Sequence, residues 1–121
     1  PQDTSSAASD VYKRQIKFSK RFDAECIITL GPKGSLLATR EGLYKIDALE
    51  VEAIDTVGAG DMFVGAFSAG LFKGGCTTSS LQRATVASGL ACKFNGAQPS
   101  LVTPQLVESE LQRLPLPRKI A

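Results

Sequence analysis

The chain has 121 residues, 43% of them hydrophobic, and a formal net charge of +2. That is enough for one modest domain, too apolar for full disorder, and too nearly neutral for a nucleic-acid footprint. No apolar run approaches the length of a membrane span, and the opening residues do not read as a hydrophobic leader.

Histidine is absent, which excludes Ser-His-Asp and Cys-His catalysis and every His-ligated metal site within the chain. The three cysteines, Cys26, Cys76 and Cys92, are odd in number and form no CxxC pair. A disulfide framework or a thiolate zinc site is not expected, and a reducing, cytoplasmic setting fits better. The cysteines read as small core or surface residues rather than catalysts.

In chain order, residues 1–15 are rich in Ser, Ala, Asp and Thr without periodicity, and read as a disordered or non-native tail. Residues 16–121 form the expected domain. Cys26 to Leu30 is a continuous apolar, β-branched run, as in a strand buried on both faces. Gly31-Pro32-Lys33-Gly34 is a turn. Ser35 to Arg40 reads as a second strand, Glu41-Gly42 as a tight turn, and Leu43 to Ile46 as its hairpin partner. Leu49 to Ile54 alternates apolar and acidic residues, predicting a short strand with one exposed face. A helix is predicted over 58–73. Its residues Met62, Phe63, Val64, Phe67, Leu71 and Phe72 nearly encircle it, so it should be mostly buried. Gly74-Gly75 ends it. Ser79 to Gln82 resembles a capping box opening a second helix, to about Phe94. Thr103 as N-cap, with Pro104 at the first helical position, opens a third helix to about Leu114. The fold class is α/β, strands followed by three helices. The strand at 26–30 implies a larger sheet with helices on both faces.

The chemistry concentrates at Asp55-Thr56-Val57-Gly58-Ala59-Gly60-Asp61, just before the first of these helices. Glycines there permit a tight turn whose backbone N–H groups face an anion at a helix N-terminus. A carboxylate beside such a cradle is what phosphoryl transfer to a hydroxyl requires: the amides stabilise charge and the carboxylate takes the proton. Taken alone, Gly58 to Asp61 reads equally as a plain helix start with an Asp in its first turn.

The longer run Ala53 to Phe63 resembles the C-terminal signature of the ribokinase-like (PfkB-type) carbohydrate kinases. Ile28 to Gly34 is similar to that family's strand and turn beside the nucleotide. Asn95 to Ser100 is similar to a segment of its ribose-phosphorylating members, and the closing helix after Thr103 also fits. The resemblance covers roughly residues 16–115. It implies the C-terminal portion of a three-layer α/β/α sandwich, without the N-terminal part that holds most of the sugar site.

The resemblance implies ATP-dependent phosphorylation of a sugar's primary hydroxyl, most nearly D-ribose to D-ribose 5-phosphate. Fructose, ketodeoxygluconate or a nucleoside are alternative acceptors, and a non-catalytic nucleotide-binding chain is the alternative activity. Asp61 corresponds to the catalytic base, and Gly58, Ala59 and Gly60 with the Asp61 amide to the anion hole. Asp55 corresponds to a sugar contact. Thr29, Gly31, Gly34, Gly60 and Thr85 correspond to nucleotide contacts, with Thr85 standing where the family often carries Asn. Thr29 and Gly31 read equally as ordinary strand and turn residues, and Ser100 equally as a loop cap. By the same resemblance Asp55, Val57, Ala91, Phe94, Gly96 and Ser100 correspond to ligands of a potassium ion, which favours flexible oxygen cages. Mg2+ would travel with the ATP phosphates. The complete protein is expected to be a homodimer, with no nucleic-acid or membrane partner.

Overall fold

Four short strands form one antiparallel sheet in the computed structural model, which describes residues 4–22, 24–51, 58–93 and 102–120. The strands are β1 (Cys26–Thr29), β2 (Ser35–Thr39), β3 (Gly42–Ile46) and β4 (Arg118–Lys119), hydrogen-bonded in that order. β1 joins β2 through the expected Gly31–Lys33 turn, pairing Cys26 with Ala38 and Thr29 with Ser35. The β2–β3 hairpin also forms as read, with Ser35 opposite Ile46 and Thr39 opposite Gly42.

Alternation along the strands divides the core in two. Leu37 and Ile46, with Ile27 and Tyr44 beside them, face a large cluster that contains Phe63, Leu81 and Leu90. Leu36, Ala38 and Leu43 face the opposite way, together with Cys26 and Ile28. Both faces are therefore apolar, and both are covered, which produces the expected three-layer α/β/α arrangement. β1 itself is only partly buried, because among the described residues it is an edge strand.

One covering layer is a helix that begins within residues 1–15 and docks through the residues after them. Helix α1 (Thr4–Phe22) occupies most of residues 1–15 and precedes the sheet. Its C-terminal half contains good helix formers and docks on β2. There Ile16 packs on the smaller cluster, and the fully buried Ser19 donates its hydroxyl to the Ala38 carbonyl at 2.9 Å. Tertiary docking of this half lets the helix extend back through the Ser- and Ala-rich residues, which have no apolar pattern of their own.

The second layer contains α2 (Ala59–Phe72), α3 (Thr77–Ala91) and α4 (Pro104–Glu110). α2 packs along α3, and α4 lies against α3. The expected cap of α4 is present: Thr103 Oγ1 accepts a hydrogen bond from the Leu106 amide at 3.1 Å. A short 3-10 turn, Leu111–Arg113, continues it towards the expected end.

Three expectations are corrected. Residues 49–51 are not a strand; β3, the strand they follow, is bonded by β2 on one side and β4 on the other. Residues 52–54 lie outside the described residues. α3 starts at Thr77, two residues before the capping box, and the Ser79 hydroxyl donates instead to the Cys76 carbonyl at 3.1 Å. α2 is not mostly buried: Phe63 is, but Val64 is 64% and Phe72 93% exposed, because α3 covers only one side of the helix.

The Thr103 cap yields a test. Thr103→Ala should cost about 1 kcal/mol in urea unfolding, while Thr103→Ser should keep most of that stability. Equal stability of all three chains would remove the cap from the account.

Candidate functional site

α2 begins with a glycine in the left-handed region: Gly58, the N-cap, has φ 81°. Its carbonyl accepts the first helical hydrogen bond, from Met62 at 2.9 Å. The N–H groups of Ala59, Gly60 and Asp61 have no hydrogen-bond partner among the described residues. They are the orphan donors that every helix start carries, and they coincide with the positive end of the helix dipole. Asp61 stands in this first turn with its side chain exposed.

Two cavities meet at this turn. A larger one, about 830 Å3, is bordered by Gly58, Asp61 and Met62 and runs along α2 as far as Lys73. A smaller one, about 410 Å3, is bordered by Ala59, Gly60 and Phe63. The helix start is the wall between them. The carboxylate-bearing residue borders one space, and the small residues with free amides border the other.

The smaller cavity gathers all five residues matched to nucleotide contacts. Thr29, Gly31, Gly34, Gly60 and Thr85 all line it, although they come from β1, the turn after it, α2 and α3. Thr85 is nearly buried, and its hydroxyl donates to the Leu81 carbonyl at 2.7 Å. That donor is therefore spent on the helix backbone, which separates Thr85 chemically from the Asn common at this position.

The sequence reading missed other parts of the wall. Ser88, Gly89 and Cys92 share one helical face with Thr85. That spacing was available in the sequence, but no residue type in it signals a ligand. Ala48, Leu49 and Val51 complete the wall from the loop after β3, and nothing local marks them.

Of the residues matched to a cation site, one lies among the described residues. Asp55, Val57, Phe94, Gly96 and Ser100 lie outside the described residues, as does the sugar-contact role of Asp55. Ala91 is described. It closes α3, borders the larger cavity, and its carbonyl accepts no hydrogen bond from a described residue.

Cys76 is a surface residue, one of the two places expected for the cysteines. It is exposed, and hydrogen bonds with the Ser79 and Thr78 hydroxyls lower its thiol to about 7. Among the described residues, no helix is long and apolar enough to cross a membrane.

Comparison with known proteins matches this arrangement. The family model described as "pfkB family carbohydrate kinase" matches residues 2–104. A ribokinase of Lactococcus lactis subsp. lactis is 37% identical over 95 residues, covering 78% of this chain and 32% of that protein. The crystal structure of ribokinase from Thermotoga maritima superposes with a TM-score of 0.76 at 31% identity, over 84% of this chain and 34% of that one. Arabidopsis thaliana ribokinase, solved with ribose and ATP, superposes with a TM-score of 0.67 at 29% identity, over 73% of this chain and 29% of that one. The chain thus spans about a third of the length of these relatives. From its signature, its three layers and the extent of these matches, the chain belongs to the pfkB family of carbohydrate kinases.

Proposed function

We propose that this chain is the nucleotide-binding and phosphoryl-transfer part of an ATP-dependent sugar kinase. The observation that carries this reading is the start of α2, which separates a space bordered by Asp61 from one bordered by Ala59 and Gly60. The nucleotide occupies the smaller space and presents its γ-phosphate to the free amides of Gly58 to Asp61. The acceptor hydroxyl approaches from the side of Asp61. Its oxygen forms a bond to the γ-phosphorus as the bond to the β-phosphate oxygen breaks, and its proton passes to the Asp61 carboxylate. The amides stabilise the charge on the phosphoryl oxygens in transit.

D-Ribose is the favoured acceptor, giving D-ribose 5-phosphate. Support comes from the Asn95–Ser100 segment and from the similarity to ribokinases. Asp55 would hold the sugar hydroxyls. A fructose, ketodeoxygluconate or nucleoside acceptor would require other contacts from outside this chain. The ATP phosphates would bring Mg2+ with them, which would offset part of their charge. Potassium would be held by main-chain oxygens that include Ala91, with Asp55, Val57, Phe94, Gly96 and Ser100. The complete enzyme is proposed to be a cytoplasmic homodimer. A second reading, nucleotide binding without transfer, is favoured by one observation: every matched nucleotide residue lines one cavity within this chain alone.

In the complete enzyme, Asp61→Asn should lower the phosphorylation rate by about 10^2- to 10^4-fold and leave ATP affinity nearly unchanged. Turnover retained in that variant removes the base from Asp61. Potassium titrated against choline at constant ionic strength should raise the rate several-fold, and a flat response removes the cation from the reading. If the 121-residue chain binds ATP but forms no sugar phosphate, the second reading holds for the chain by itself.

A further inference from the structure

The wall of the smaller cavity that faces α3 is the loop after β3, which contributes Ala48, Leu49 and Val51. This loop belongs to no strand or helix, so something other than a ladder of hydrogen bonds must hold it. Two contacts do so. From within, Leu49 is 6% exposed and seated on α3 at Gly89. A Cβ added at Gly89 would stand 2.9 Å from the Leu49 Cβ, so loop and helix touch with no room for a side chain between them. From without, Arg113 reaches the loop from the turn after α4. Its Nη2 donates to the Glu50 carbonyl at 2.9 Å, across 63 residues of sequence. Its Nη1 is paired with Glu110, which fixes the plane of the guanidinium. Glu50 lies between Leu49 and Val51, two residues of the cavity wall.

Resting on the nucleotide reading above, we propose that Arg113 is a positioning residue for the base of the nucleotide. It lines neither cavity. It fixes the peptide of Glu50, and through it the apolar wall made by Leu49 and Val51. The Leu49 and Val51 side of the cavity is apolar, which suits the flat face of a base. The phosphates have their partners elsewhere, at the amides of the α2 start. Loosening the loop therefore acts on recognition of the base and leaves recognition of the phosphate chain untouched.

The test compares ATP with inorganic tripolyphosphate, which keeps the phosphates and lacks the base. Both are titrated calorimetrically into the complete enzyme as wild type, R113A and R113K, with thermal melting of each as a control on folding. R113A should bind ATP about three- to tenfold more weakly, the loss of one charge-assisted hydrogen bond. It should bind tripolyphosphate as the wild type does. R113K, which keeps a donor for the Glu50 carbonyl, should fall between the two. ATP affinity unchanged in R113A, or an equal loss for both ligands, overturns the positioning role. A wild-type enzyme that binds neither ligand overturns the nucleotide reading itself, a distinct result.

Discussion

A sheet that is apolar on both faces must be covered on both faces, and the rest of this structure follows from that constraint. Leu36, Ala38 and Leu43 point one way, and Leu37 and Ile46 the other. Each set would present bare hydrocarbon to water without a partner layer, at a cost of roughly 25 cal/mol per Å2 of apolar surface. α1 answers one side, and α2, α3 and α4 answer the other. The functional geometry is a by-product of the second answer. Once α3 is seated on Leu37 and Ile46, α2 packs along it, and the start of α2 is fixed between the two cavities.

That placement lets the same few residues do two things at once. The N–H groups of Ala59 and Gly60 have no partner among the described residues, as at any helix start. Gly58 then makes the entry tight, at φ 81°, without adding a side chain to the approach. Asp61, one turn in, gains from the helix dipole whatever else it does. The difference between a plain helix start and a candidate phosphoryl-transfer centre lies in what surrounds it: a cavity on each side, one of them lined by Thr29, Gly31, Gly34 and Thr85.

The exposed side of α2 shows the same logic in reverse. Val64, Leu71 and Phe72 are apolar and stand in solvent, since α3 covers only the opposite side of the helix. The sequence reading inferred near-complete burial from the ring of apolar residues around this helix. Amphipathic patterning reports which surfaces favour burial; it does not report whether the covering element is among these residues.

Much of the fold was legible locally. The hairpin from Ser35 to Ile46, the turn at Gly31 to Lys33 and the Thr103–Pro104 helix start are each encoded by a few adjacent residues, so short-range chemistry sufficed to find them. The run from Ala53 to Phe63 also carried the family and the identity of Asp61, because the order of its residues is specific. What sequence alone missed depends on distant partners. α1 is held by Ser19 on Ala38, a contact that no local pattern announces. Residues 49–51 alternate like a strand but do not pair with β3, whose second edge is taken by β4 from the end of the chain. The cavity wall at Leu49 and Val51, and its anchor at Arg113, join three segments far apart in sequence. Local propensity and motif determined which residues are candidates for the chemistry. Only the packing of both sheet faces decided where those residues meet, because contacts across many residues form only when the layers that bear them are docked.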